Sequence, residues 1–136
     1  MSVSVSIIVP CYNVAAYLDQ CMESLTGQSM EDIEIICVND GSSDRTAEIL
    51  REWRNRDRRV RIIDQKNSGV SAARNSGMAA AAGTYIGFVD PDDMVERNMF
   101  QRLVTAAAEK EADVAVCGYH EFCDCGDMDL SERGWG

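Results

Sequence analysis

The sequence predicts an α/β fold in which a mostly parallel sheet is flanked by helices. Three observations predict it. Short β-branched runs alternate with segments carrying apolar residues at helical spacing. The runs are short and largely apolar, as in strands buried on both faces. Unusual polar residues collect after the strands and hardly at all before them, the arrangement of a parallel sheet with a ligand edge.

The first strand is expected over residues 3–9, stopping at Pro10, which has no N–H to give to a ladder. Residues 15–26 follow as a helix: Leu18, Cys21, Met22 and Leu25 share one face, Asn13 is placed to cap the start, and Gly27 stops the end. A second strand covers residues 33–38 and breaks at Asn39-Asp40-Gly41. Asp44 precedes a helix beginning at Arg45, with Ile49, Leu50 and Trp53 facing inward. Residues 60–63 form a short third strand, and residues 70–82 a helix ended by Gly83. Gly77 inside that helix costs about 1 kcal/mol relative to alanine, so it is expected where close packing requires it. The fourth strand spans 84–89, the fourth helix carries Phe100, Leu103, Val104 and Ala107 on one face, and residues 114–118 read as a fifth strand. No repeat interrupts the series, and crossovers should be right-handed.

A chain of 136 residues is one domain by size. Its net charge of −10 argues against a nucleic-acid partner, since that affinity comes from Lys and Arg neutralising phosphates. A single nucleotide needs only a few donors or a metal. There is no basic, apolar leader at the start, and no apolar run reaches the roughly 20 residues of a spanning helix. A soluble chain is expected, with membrane association only through sequence outside it. The six cysteines read mainly as buried reduced thiols, which points to the cytoplasm. Cys117, His120, Cys123 and Cys125 are four zinc-type ligands in nine residues, but structural zinc sites use wider, paired spacings.

The strand ends carry the chemistry. Asp90, Asp92 and Asp93 lie within four residues and would repel one another. A hard divalent cation, Mn²⁺ or Mg²⁺, relieves that repulsion and bridges to phosphate oxygens. Helix capping alone would explain one aspartate and not three. Asp40 is placed either to accept from a base edge or to serve the turn at Gly41. Tyr12 could stack on a base or pack on the sheet edge, and Arg74 is either a ligand cation or part of a solvated helix face. Neither a glycine-rich dinucleotide turn nor a phosphate-binding loop is present, which favours phosphate held by metal.

Four ordered segments then carry a resemblance: Ile7-Ile8-Val9-Pro10-Cys11-Tyr12-Asn13, Val38-Asn39-Asp40-Gly41-Ser42-Ser43-Asp44, Asn67-Ser68-Gly69-Val70-Ser71-Ala72-Ala73-Arg74-Asn75-Ser76-Gly77 and Phe88-Val89-Asp90-Pro91-Asp92-Asp93. Together they resemble the family 2 glycosyltransferases of the GT-A fold, a Rossmann-like architecture. The resemblance runs from about residue 3 to residue 118. It implies an inverting transferase that binds a nucleotide-diphosphate sugar, often uridine-linked, with Mn²⁺ or Mg²⁺. It also implies a glycan or lipid-linked acceptor. Carried over by position, Pro10 and Tyr12 line the base pocket, Asp40 accepts from the base and Arg74 holds the nucleotide. Asp92 and Asp90 form the Asp-x-Asp pair for metal and nucleotide.

In this family the catalytic base is a carboxylate well past the fifth strand. The adjacent Glu31-Asp32 is in the wrong place for it. The base is therefore expected beyond residue 136. Residues 1–118 should be the nucleotide-sugar-binding domain and 119–136 the start of an acceptor-side half, with the fold truncated after the fifth strand. A non-catalytic nucleotide-sugar-binding module is the alternative. A receiver-like phospho-acceptor domain ranks far lower: it wants an aspartate after the third strand and a lysine after the fifth, where Asp64-Gln65-Lys66 and Gly118-Tyr119 stand.

Overall fold

The computed structural model describes residues 2–111 and 113. The expected strand at 114–118, the Cys117/His120/Cys123/Cys125 group and residues 119–136 lie outside the described residues. Eight elements alternate: β1 (Val5–Cys11), α1 (Ala15–Thr26), β2 (Ile33–Asp40), α2 (Thr46–Arg56), β3 (Val60–Gln65), α3 (Val70–Ala80), β4 (Tyr85–Phe88) and α4 (Met99–Glu109). The four strands form one parallel sheet in the order β3-β2-β1-β4. No helix among the described residues is long and apolar enough to cross a membrane.

The two central strands are buried along their whole length, which explains their largely apolar composition. β1 does not stop at Pro10. The Ser4 and Ile8 carbonyls accept from Tyr85 and Val89, so the even-numbered backbone groups of this strand face β4. Pro10 faces the same way but lies past the end of β4, where no ladder asks for its missing N–H. β2 likewise continues through the polar Asn39 and Asp40, which stay in register with Asp64 and Gln65. Asp40 is thus the last strand residue, and the turn begins at Gly41.

The sheet separates two cores. On one face Val5, Ile7, Val9, Ile33, Ile35 and Cys37 pack with Leu18, Met22 and Leu25 of α1, Leu50 and Trp53 of α2, and Phe100 of α4. The predicted inward face of α1 is the buried one, and Gly27 closes the helix. On the other face Ile36 and Val38 meet Ala73 of α3 in a smaller cluster. Gly77 allows that contact. A Cβ built on it would lie 2.5 Å from Ile8 Cγ2.

At the end of the sheet away from the strand termini, Glu34 is buried and fully engaged. It accepts from the Ser6 hydroxyl (2.5 Å), the Ala82 N–H (2.7 Å) and Arg61 (2.7 Å). Burial raises its carboxyl, but these donors outweigh it and hold the group below its usual value of 4.5. Asp57 is lowered from 3.8 by Arg59, at 2.8 Å. Both folded values lie below the unfolded ones, so this stabilisation is complete above the unfolded values and lost as pH falls through the folded ones. Tm should therefore be flat from neutrality to about pH 5 and drop below about pH 4. Glu34→Gln should lower Tm at pH 7 and flatten that acid limb in thermal unfolding followed across pH.

Candidate functional site

The loops after β1 and β2 hold each other. Asn13 sits at φ +51° and does not cap α1 as its position suggests. Its side-chain oxygen Oδ1 instead accepts from the Ser43 N–H (2.8 Å), and its backbone N–H donates to the Ser42 hydroxyl. The free N–H groups at the start of α1 are taken from across the gap. Val14 donates to Thr46 Oγ1 (3.0 Å) and Ala15 to Asp44 Oδ2 (3.2 Å). Asp44 also accepts from the Thr46 N–H at the start of α2, so one aspartate serves two helices. This clasp fixes the position of Tyr12, whose side chain stays about half exposed at 51%.

A cavity of about 290 Å³ opens beside Tyr12, at the small end of ligand sites, which run from about 300 to 1,000 Å³. Pro10, Tyr12 and Asp40, the three residues assigned to a base pocket, all line it. Asn67, Gly69, Val70 and Ala73 complete the wall from the loop after β3 and the start of α3. Asp40 is 3% exposed and holds that loop in place. Its Oδ1 accepts from Gln65 Nε2 (2.9 Å) and the Ser68 N–H (2.8 Å), and its Oδ2 from the Gly69 N–H (3.0 Å). Gln65 foremost, then the two backbone donors, keep the carboxyl below 3.8. Gly41, at φ +72°, brings the turn within 2.7 Å of the Asn67 nitrogen, measured from an ideal Cβ, leaving no space for a side chain.

The acidic cluster follows β4, and an ion pair from Arg74 ties it to α3, the helix that gives Val70 and Ala73 to this wall. One carboxylate oxygen from each of Asp90, Asp92 and Asp93 lies within 4.8 Å of the others, and all three residues are exposed. Burial, then Asp92 and Asp90, push the Asp93 carboxyl above 3.8. Arg74, next to cavity residue Ala73, offsets part of the charge through a 3.3 Å ion pair with Asp90. Beneath the cluster, Cys21 Sγ lies 3.7 Å from the Asp90 carbonyl. Burial first, then Cys11 and the three aspartates, raise that thiol from 9.0 to about 12. A thiol so raised stays protonated and is no nucleophile.

The structure therefore gathers the expected residues in two groups linked through α3: Pro10, Tyr12 and Asp40 at the cavity, and Arg74, Asp90 and Asp92 at the cluster. Sequence reasoning gave no role to Gln65, Asn67, Gly69 or Val70. Their signal was the loop's position after β3, at the same sheet edge.

Residues 6–131 match the family described as Glycosyl transferase family 2. The chain belongs to that family. Among curated family relatives, "Uncharacterized glycosyltransferase EpsJ" of Bacillus subtilis is 52% identical over 117 residues, covering 86% of this chain and 34% of EpsJ. Glycosyltransferase GlyA of Streptococcus pneumoniae is 43% identical over 118 residues, 87% of this chain and 17% of GlyA. The chain thus spans about a third or less of these two family members. Among solved structures, S. aureus TarS 1–349 in complex with UDP-GlcNAc superposes with a TM-score of 0.75 at 28% identity, over 79% of this chain and 32% of the TarS 1–349 chain. The GT-A fold expected of the family is the one observed.

Proposed function

We propose that this chain is the donor-binding part of an inverting glycosyltransferase. The donor is a nucleotide-diphosphate sugar, uridine-linked, and the acceptor a glycan or lipid-linked hydroxyl. The observation that carries this reading is the cavity of Pro10, Tyr12 and Asp40 and the cluster of Asp90, Asp92 and Asp93, both at one sheet edge. TarS, which superposes on this chain, is solved with UDP and with UDP-GlcNAc.

The cluster fits Mn²⁺ or Mg²⁺: it offers hard carboxylate oxygens, exposed and within 4.8 Å of one another. Asp90 and Asp92 would hold the ion, and an ion so held neutralises negative charge on the leaving diphosphate. The half-exposed Tyr12 ring offers a stacking face for the base, and Asp40 an acceptor for its edge. Arg74 leaves Asp90 to contact the diphosphate. Inversion is a single displacement at the anomeric carbon, so a carboxylate must deprotonate the acceptor hydroxyl. That base lies outside these residues. A cytoplasmic site of action belongs to the same proposal, supported by the free, buried thiols of Cys11, Cys21 and Cys37.

Calorimetric titration with UDP tests the reading. Binding is expected with Mn²⁺ or Mg²⁺ present and should vanish with chelator. A folded chain that binds UDP equally well without metal, or not at all, sinks it.

A further inference from the structure

Asp40 reaches the cavity wall with most of its accepting capacity committed. A carboxylate offers about four acceptor positions. Gln65 and Ser68 occupy Oδ1, and Gly69 takes one position on Oδ2. One position remains, on Oδ2. The Gln65 amide has no choice of orientation, because its oxygen turned toward Asp40 would set acceptor against acceptor. Its Nε2 therefore faces the carboxylate, and its Oε1 accepts from the Ser76 hydroxyl at 2.6 Å. A directed chain thus runs from α3 through the end of β3 to the end of β2. Neither Gln65 nor Ser76 is among the residues lining the cavity.

We infer that Gln65, steadied by Ser76, is a positioning residue for base selection. By filling Oδ1 it stops the carboxylate from rotating and leaves a single acceptor, on Oδ2, for a ligand. That acceptor fits a ring N–H between two carbonyls and repels a ring nitrogen that is itself an acceptor. The first is the edge of uracil and the second that of cytosine. The inference rests on the donor-binding reading proposed above, with the base in this cavity.

The test is calorimetric titration with UDP and with CDP, each with Mn²⁺, of the unaltered chain, Gln65→Leu and Ser76→Ala. The unaltered chain should prefer UDP by about tenfold or more. In Gln65→Leu that preference should shrink by about tenfold, the worth of one hydrogen bond to a charged group. Ser76→Ala leaves the Gln65 donor and removes only its support, so the preference should shrink by about threefold. A merely structural role would lower Tm and weaken both nucleotides alike. An unchanged UDP-to-CDP ratio in the variants overturns the inference, and Ser76→Ala decides if Gln65→Leu does not fold. An unaltered chain that binds both nucleotides equally also overturns it, while leaving the donor-binding reading intact. One that binds neither removes that reading and the inference with it.

Discussion

Asp92→Ala is expected to abolish Mn²⁺-dependent UDP binding, weakening it by more than about a hundredfold. Outer-shell partners of metal ligands already cost about 10–100-fold when removed, and Asp92 would be a ligand itself. The variant should fold as well as the parent or slightly better. Asp92 is exposed, and its charge is one of those raising the Asp93 carboxyl. Removing it relieves repulsion, so the metal-free Tm should not fall; surface changes of this kind stay within about 0.5 kcal/mol. Titration with UDP at fixed Mn²⁺, beside a thermal scan without metal, separates these effects. Retained metal-dependent binding would remove Asp92 from the metal site, and a large drop in Tm would make it structural.

Gly77→Val should destabilise the chain strongly, although position 77 lies inside a helix. Two effects oppose each other in Gly77→Ala. Helix propensity favours alanine by about 1 kcal/mol. Overpacking costs about 1–3 kcal/mol, and here the obstacle is unyielding: the new Cβ would meet Ile8 Cγ2 at 2.5 Å, on a fully buried central strand. Overpacking should win modestly for alanine and clearly for valine. At about 2–4 °C of Tm per kcal/mol for a domain approaching 150 residues, the valine variant should lose about 5–10 °C. Ile8→Ala removes the obstructing methyl groups. Gly77→Ala combined with Ile8→Ala should therefore be less destabilised than the sum of the single changes, which denaturant unfolding of all four proteins would measure. Strict additivity would mean that the two residues do not limit each other.

Local chemistry was legible in the sequence, and partnership was not. The burial of β1, β2 and the α1 stripe followed directly from apolar spacing, since each element's own pattern states which face it hides. The strand ends were misplaced by their composition. Pro10, Asn39 and Asp40 look like breakers, yet each sits in a strand because its neighbour makes no demand that it fails to meet. The site followed the same division. Tyr12, Asp40, Arg74 and the three aspartates stood out as candidates because parallel sheets collect function after their strands. The Gln65 contact to Asp40 spans 25 residues, and the Asn13 contact to Ser43 spans 30. No periodicity encodes contacts of that kind, so Asn13 read as a cap when its side chain belongs to a neighbouring loop.

The sheet order β3-β2-β1-β4 also governs how the protein is made. β1 leaves the ribosome before the other described strands and lies between two of them, but its second neighbour, β4, begins at Tyr85. Until then one side of this largely apolar strand has no partner among the described residues. Such distant pairings fold slowly, on a scale of about milliseconds to seconds, because loop closure precedes any reward. A nascent chain would pass through a stage with an open β1 edge, the state most prone to sticking to other chains. The rim that carries Tyr12, Asp40 and the acidic cluster is completed only when that edge closes, so its parts come together after Tyr85 has emerged and not one by one.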